Sequence, residues 1–273
     1  MEKKRLLLVT QDMHPYTALS EIATIAQQIP QYMHDNGLEL RVLMPRFGTI
    51  NERRHRLHEV VRLSGMNIVV NDEDFPLIIK VASMPGSRLQ VYFLDNDEFF
   101  KRKSVFDDAQ GKPFADNMER MTFFSKGVIE TVKKFGWPPD IIHCHGWMTS
   151  LVPFYLRTVY KDEPLFRNAR MTYSTYQNDA DAQFTPADLE KALVPPMGIE
   201  ALGDYLVNGQ VVLDHGAIAH SDAVIRGSET LNPDVETAVA KMDRPVLDFV
   251  EGDDLLGAYL EFYHNLLEQE VQP

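Results

Sequence analysis

The stretch PYTALSEIATIAQQIP, residues 15–30, decides how the rest of this chain is interpreted. It follows the apolar run LLLV at residues 6–9, which is typical of a strand buried on both faces. Within it, apolar residues recur at intervals of three and four, as in a helix with one buried face: Ile22, Ile25, Ala26 and Ile29. A strand, a turn and a helix at the front of an α/β chain commonly bind phosphate at the helix N-terminus. This turn has no glycine, so it lacks the close backbone approach that phosphate requires.

Strand and helix patterns alternate along the rest of the chain. Apolar runs predict strands at residues 38–44, 67–70, 77–83, 89–94, 141–144, 170–175 and 223–225. Helical spacing predicts helices at residues 95–103, 114–135, 148–160, 211–219 and 253–269. The pair Pro85-Gly86 predicts a hairpin turn, and residues 177–209 are expected to be mostly loop with short helices. This order predicts an α/β fold, a single doubly wound and mainly parallel Rossmann-like sheet with a small antiparallel hairpin insertion.

Composition narrows the classes of partner. Of the 273 residues, 44% are hydrophobic, and 27 basic against 40 acidic side chains leave a net charge of -13. Such a surface repels polyanions, so neither nucleic acid nor an anionic membrane is an expected partner. The single cysteine excludes an internal disulfide and fits a reducing compartment. The apolar run at the start is too short for a signal peptide, and no later run has the length of a membrane span, so we expect a cytoplasmic protein.

The segment HCHGW, residues 143–147, lies at the carboxyl end of a predicted strand. Ligands of open α/β sheets bind at that edge, so His145 and Trp147 are expected to face a cleft. Two histidines and Cys144 could suggest a metal, but neighbours along a strand point to opposite faces and the common ligand spacings are missing. We therefore predict neither a metal site nor a cofactor. For His143, a buried imidazole satisfied by hydrogen bonds explains the sequence equally well.

The segment DNMER opens the long helix predicted at residues 114–135. Asp116 and Glu119 have the spacing of a capping box, which would satisfy the first amides of the helix. Capping leaves Asn117 and Arg120 free, and an arginine beside a cleft can bind sugar hydroxyls or phosphate. Both explanations remain open for this segment.

Two further polar clusters can each be explained by local structure without a ligand. Asn178 and Asp179 follow a predicted strand and lie near Asp181, where turn chemistry or ligand binding would explain them. Asp214 and His215 are neighbours in a predicted helix, where an ion pair or hydrogen bond is commoner than a catalytic dyad. No G-x-S-x-G nucleophile motif occurs in the chain.

Taken together, five stretches resemble one family, the bacterial glycogen synthases and plant starch synthases. They occur in the order and spacing of that family across residues 5–231: LLLVTQDMHPY, RVLMPRFGTI, DNMERMTFFSKG, PPDIIHCHGWMTSLVPFYLR and LDHGAIAHSDAVIRGSETL. The resemblance implies a retaining glucosyltransferase that moves glucose from a nucleotide-glucose to an α-1,4-glucan. It also implies a cleft between two Rossmann-like domains.

The departures from the family concentrate on positions that would meet the donor. The family's first turn reads K-T-G-G-L, and the resemblance places its lysine and glycines at the phosphates of the nucleotide sugar. Here the positions of K-T-G-G are Ala18, Leu19, Ser20 and Glu21. A methyl group replaces a cation and an anion replaces a glycine, so a diphosphate would be repelled at close range. We therefore predict a degenerate donor-phosphate loop.

Three other motifs of the family are also altered. The segment HGW at residues 145–147 stands where the family has H-D-W, so a carboxylate is lost. Gln177 replaces the histidine of T-x-H-N, and DHG at residues 214–216 stands where the family has K-A-G. No catalytic residue is predicted for this chain.

The resemblance also suggests a domain organisation. Residues 1–231 would form the amino-terminal Rossmann-like domain, and the family's second domain has no counterpart. Residues 232–273 would form a short connector and a helix similar to the family's last helix, which packs back on the first domain. Our hypothesis is that the second domain was excised internally while this helix was kept to cover apolar surface.

Deletion of residues 250–273 tests this hypothesis. Because the deletion would expose the apolar surface under the helix, we expect insolubility or a large loss of stability, measured as soluble yield and thermal melting. A remainder that stays folded and monomeric would contradict the hypothesis.

The sequence thus leads to three functional hypotheses. The first is a synthase-like domain with impaired catalysis that retains binding of a glucan or nucleotide sugar. Its candidate binding residues are His145, Trp147, Asn178, Asn117 and Arg120. The second is half of a split, active glucosyltransferase completed by a partner chain that supplies the second domain. The third is a regulatory or scaffolding protein of glycan metabolism.

Overall fold

One large sheet runs through the centre of the molecule, whose computed structural model describes residues 3–268. The strands are β1 Arg5–Thr10, β2 Glu39–Pro45, β3 His58–Glu59, β4 Met66–Val70, β5 Glu73–Ser83, β6 Gln90–Asp95, β7 Ile141–His145, β8 Arg170–Thr175, β9 Leu206–Val207, β10 Gln210–Val211, β11 Ala223–Arg226 and β12 Val246–Leu247. The α-helices are α1 Ile22–Asp35, α2 Glu52–His55, α3 Asp97–Phe100, α4 Asn117–Phe135, α5 Leu151–Arg157, α6 Pro186–Leu189, α7 Leu213–Ala219, α8 Pro233–Ala240 and α9 Leu255–Glu268. Within residues 3–268, no helix combines the length and apolar character needed to cross a bilayer.

The order of strands in the sheet is that of a doubly wound fold. It reads β12-β11-β8-β7-β1-β2-β6-β5-β3, with β4 paired to β5 beside this path. The strands from β12 to β6 are parallel to their neighbours, and β5 runs antiparallel to β6, β3 and β4. The turn between β5 and β6 contains Gly86 with φ +74°, a conformation that glycine adopts without strain. The predicted parallel sheet with an antiparallel hairpin insertion is confirmed.

The central strands are buried on both faces, as their apolar sequences predict. The LLLV run of β1 is at most 1% exposed, and β1 lies between β2 and β7. Helix α4 ends at Phe135 and is capped by Gly136, whose φ of +60° is a conformation that glycine adopts without strain. Parallel strands of this kind are buried on both faces because helices cover each side of the sheet.

The predicted capping box at the start of α4 is wrong. Asp116 makes no side-chain cap; its carboxylate forms a two-point ion pair with Arg102, one branch of which is 2.8 Å long. Glu119 pairs instead with Lys191 at 3.1 Å. A guanidinium that matches both carboxylate oxygens is a stronger partner than one backbone amide, so the ion pair takes the side chain that the spacing assigned to the cap.

Some element boundaries also differ from the predicted ones. The helix predicted at residues 95–103 is reduced to α3, because Asn96 caps it and the chain leaves helical geometry at Lys101. The helix predicted at residues 148–160 begins as a 3-10 turn, Trp147–Thr149, and α5 ends at Arg157. The short connector that begins at Asn232 contains α8 and the edge strand β12, for which no helix or strand was predicted.

Helix α9 packs back on the domain, as predicted. It buries one face formed by Tyr259, Phe262, Tyr263 and Leu266. The hydroxyl of Tyr263 lies 2.6 Å from Nδ1 of His143 in the central strand β7, so the contact is polar as well as apolar. The predicted last residue of this helix, Gln269, lies outside the described residues.

Replacement of Tyr263 by Phe tests the polar part of this contact. Removal of the hydroxyl takes away the partner at 2.6 Å from His143 Nδ1 and leaves His145 Nε2, at 3.2 Å, as the remaining partner of that nitrogen. We expect the loss of this hydrogen bond to cost about 0.5–1.5 kcal/mol of the free energy of unfolding. The matched control is Tyr92→Phe, because the Tyr92 hydroxyl meets Gln90 at an exposed position; its effect should stay within about 0.5 kcal/mol. Urea denaturation measures both, and equal effects would contradict the proposed role of the Tyr263 hydroxyl.

Candidate functional site

A cleft of about 550 Å³ opens at the carboxyl ends of the parallel strands. Its walls come from the loops that follow β1, β7, β8 and β11, from the start of α1, and from the loop after α3. The lining residues are Gln11, Leu19, Ser20, Glu21, Ile22, Phe106, Gly146, Trp147, Tyr176, Gln177, Asn178, Ser228 and Thr230. This edge is where open α/β sheets bind ligands, so the cleft is the candidate site.

The charge of the cleft is negative. Among its lining residues, which all belong to the described part of the chain, none is Lys, Arg or His, and Glu21 is the one carboxylic acid. The other polar groups are neutral amides and hydroxyls, such as those of Gln177 and Thr230. The cleft therefore offers hydrogen bonds without a cation.

The backbone amides of the first turn donate hydrogen bonds to a buried carboxylate of the protein itself, that of Asp12. The buried carboxylate of Asp12 accepts hydrogen bonds from the backbone amides of Leu19 and Ser20, both at 2.8 Å, and from the Thr17 hydroxyl. These amides are thereby already paired with a negative charge of the protein. The sequence analysis did not identify Asp12. A carboxylate between a buried strand and a glycine-free turn does, however, indicate a side chain that can bind the backbone amides of that turn.

Glu21 extends the negative charge to the cleft surface. It lies at the N-terminus of α1 without a side-chain cap, and its carboxylate accepts a hydrogen bond of 2.6 Å from the Ser228 hydroxyl. This contact joins the first turn to the loop after β11. Of the predicted degenerate loop, Leu19, Ser20 and Glu21 line the cleft, and Ala18 is exposed beside them.

Trp147 lines the cleft as predicted but exposes only 7% of its surface. Its ring packs between Phe106 and Phe184, with centroid distances of 4.6 and 5.9 Å. The preceding Gly146 has φ +86°, and a Cβ atom there would collide with the side chain of Gln11. The backbone angle and the position of the Gln11 side chain both favour glycine here.

His145 does not lie at the cleft edge, contrary to the prediction. It is fully buried, with Nδ1 at 2.8 Å from the Tyr176 hydroxyl and Nε2 at 3.2 Å from Nδ1 of His143. Burial lowers the pKa of His145 to about 3, and burial together with His145 lowers the pKa of His143 well below its ordinary value. Since Tyr176 lines the cleft, His145 supports the cleft floor from beneath.

Asn117 and Arg120 also lie away from the cleft wall. Arg120 is fully buried; its Nε donates to the Phe99 carbonyl at 2.9 Å and its guanidinium donates to Oδ1 of Asn117 at 2.7 Å. Burial lowers the pKa of Arg120 to about 10. The expectation that Arg120 contacts a ligand is therefore wrong, because the loops over α4 cover it completely.

Asn178 does line the cleft, with its side chain engaged in the local turn. Its Oδ1 accepts from the Ala180 amide at 3.0 Å, and its side-chain amide donates to the Tyr176 carbonyl at 2.9 Å. The turn interpretation therefore accounts for these atoms. The structure brings Asn178 together with Trp147 and the first turn, and leaves His145, Asn117 and Arg120 outside the cleft.

Asp214 and His215 do not form a dyad. The buried carboxylate of Asp214 accepts hydrogen bonds of 2.6 Å from the Tyr173 and Thr175 hydroxyls, and burial raises its pKa to about 6. His215 instead lies 2.7 Å from the Asp204 carbonyl. No group of three or more His, Cys, Asp or Glu side chains within residues 3–268 is arranged to hold a metal ion.

Comparison with known proteins shows the family and the fold of this chain. Residues 5–244 match the family described as the starch synthase catalytic domain. The chain belongs to this family. Among curated proteins, it is 38% identical over 192 residues to a glycogen synthase of Chlorobium luteolum, covering 70% of this chain and 39% of that protein. It is 34% identical over 264 residues to a glycogen synthase of Chlorobaculum tepidum, covering 96% of this chain and 52% of that protein.

This starch synthase-type domain also has a clear structural relative. The catalytic domain of starch synthase IV from Arabidopsis thaliana, bound to ADP and acarbose, superposes with a TM-score of 0.72 at 17% identity. The match covers 93% of this chain and 53% of that chain, and it shows the shared fold. The chain spans about half the length of the curated relatives it matches.

The buried histidines make the stability of this domain depend on pH. Below about pH 6.5, the ordinary histidine pKa, the unfolded chain binds protons at His143 and His145 that the folded chain cannot bind. Asp214, with its raised pKa, opposes them with one proton below about pH 6. We therefore expect these three groups together to lower stability from pH 7 to 5, by at most about 1.4 kcal/mol per pH unit for each net proton.

His145→Gln is the test, because it removes one of these protons and keeps a polar side chain. The free energy of unfolding of this variant, from urea denaturation at pH 7 and 5, should depend less on pH than that of the wild type. The control is His58→Gln, since His58 is exposed and its replacement buries nothing new. A slope for His145→Gln equal to that of the wild type would contradict the buried, neutral state of His145.

Proposed function

We propose that this domain binds an α-1,4-glucan in its cleft and does not by itself transfer glucose from a nucleotide sugar. The main support is the Glu21 carboxylate, which lies in a cleft whose lining residues include no cation. The protein would thus be a glycogen or starch synthase-like domain with impaired catalysis that retains carbohydrate binding.

Electrostatics disfavours a diphosphate here. Two like unit charges 4 Å apart repel by about 1 kcal/mol in water and about 4 kcal/mol near a protein surface. Glu21 presents such a charge, and the turn amides of Leu19 and Ser20 are already occupied by Asp12. Transfer of a glucosyl group also needs positive groups that stabilise the departing diphosphate, and the cleft wall provides none.

A neutral sugar meets no such penalty. Amide and hydroxyl groups of Gln11, Gln177 and Thr230 line the cleft, and Phe106 and Trp147 add an aromatic wall. A few oriented polar groups beside apolar surface are typical of small-molecule sites. The family's relatives are named glycogen synthases, and the structural relative holds acarbose, which supports a carbohydrate as the ligand class.

Calorimetric titration with maltoheptaose, ADP-glucose and UDP-glucose, together with a glucose-transfer assay on the same sample, tests the proposal. We expect maltoheptaose to bind with a Kd on the order of 1 mM, and we expect neither donor binding nor transfer. The double variant Ala18→Lys/Glu21→Gly should bind ADP-glucose with a Kd on the order of 1 mM or below, where the wild type shows no binding, because a repulsion becomes an attraction.

The control is Glu73→Gln, which removes one negative charge from the exposed start of β5, a strand that contributes no residue to the cleft lining. It should leave the affinity for ADP-glucose unchanged. Tight donor binding with turnover by the wild type would overturn the assignment of the first turn. No binding of maltoheptaose would overturn the assignment of the ligand class.

A further inference from the structure

A second cavity adjoins the cleft. It has a volume of about 440 Å³ and is lined by Asp181, Ala182, Phe184, Thr185, Pro186, Gly209, Gln210, Val211, Val212, Asn232, Pro233 and Asp234. Two pairs of residues connect the spaces. Asn178 of the cleft and Asn232 of the cavity exchange hydrogen bonds of 3.3 and 2.8 Å, and Trp147 of the cleft packs on Phe184 of the cavity.

An aromatic row runs from one space to the other, consisting of Phe106, Trp147 and Phe184. Phe106 lines the cleft and Phe184 lines the cavity, and both rings are partly exposed. Trp147 is nearly buried between them, at 4.6 and 5.9 Å between ring centroids. A ligand longer than the cleft would therefore meet an aromatic surface at both ends of the row.

Asn117 holds this row in place. Its side-chain amide donates to the Phe106 carbonyl at 3.0 Å and also to the side chain of Gln183, the neighbour of Phe184. Its Oδ1 accepts from the buried Arg120, which fixes the amide orientation. The two loops that carry the outer rings are thus tied to one point on α4, and this preorganisation reduces the cost of ordering them around a ligand.

The chemistry of the cavity repeats that of the cleft. No lysine, arginine or histidine is among its lining residues, all of which lie within residues 3–268. Carboxylate and amide groups of Asp181, Gln210 and Asp234 stand beside apolar surface from Val211 and Pro233. This combination suits an uncharged, hydroxyl-rich ligand and disfavours an anionic one.

We propose that the second cavity is a further carbohydrate subsite, and that one linear α-1,4-linked oligosaccharide occupies the cleft and the cavity together across the aromatic row. This inference rests on the proposed function, since it extends the same ligand. It predicts that affinity depends on the length of the sugar chain.

The experiment compares maltotriose with maltoheptaose by calorimetry on the full chain. The wild type should bind maltoheptaose at least about tenfold more tightly than maltotriose, a gain of about 1.4 kcal/mol. Gln210→Trp should abolish this difference and leave maltotriose binding unchanged, because Gln210 is exposed, lines the cavity and does not line the cleft. Asp234→Arg, which adds bulk from another part of the cavity wall, should act in the same direction.

The matched control is Gln28→Trp, a glutamine of the same exposure on α1 that lines neither space. It should keep the full length dependence, and thermal melting should show that all three variants fold like the wild type. Equal wild-type affinities for both sugars would overturn the subsite and leave the proposed function intact. If neither sugar binds, both the subsite and the proposed function are overturned. Full length dependence in Gln210→Trp and Asp234→Arg would also overturn the subsite.

Discussion

The buried carboxylate of Asp12 is the interaction on which the front of this molecule depends. It accepts hydrogen bonds from the backbone amides of Leu19 and Ser20, and so closes the turn that leads from β1 into α1. A glycine-rich turn keeps such amides open for an external anion, whereas this turn satisfies them internally. The closed turn leads into α1, and Glu21 at the start of that helix gives the cleft wall its negative charge.

A second constraint lies beneath the cleft. His143 and His145 are fully buried in β7, and they connect Tyr263 of α9 to Tyr176 of the cleft floor through hydrogen bonds between 2.6 and 3.2 Å. Because unpaired polar groups are costly in such an interior, the helix, the strand and the floor support one another. The carboxyl-terminal helix is thus part of the same structure as the site, although it does not line the cleft.

These two constraints together shape what the cleft can bind. The first turn supplies negative charge at the position where a phosphate would be expected, and the loops held by Asn117 supply aromatic surface and neutral hydrogen-bonding groups. The proposed function rests on this contrast, since sugar recognition needs shape and hydrogen bonds, while departure of a diphosphate needs positive charge.

Residue type and periodicity were enough to predict the order of strands and helices along the chain, the hairpin and the altered charge of the first turn, because both act locally. They could not decide which polar residues reach the cleft. Asp116 met Arg102, Arg120 met the Phe99 carbonyl, and His143 met Tyr263, 120 positions away. Such partners are chosen by which surfaces cover one another after folding, so only the tertiary structure buried His145 and Arg120 and left Trp147 and Asn178 at the cleft.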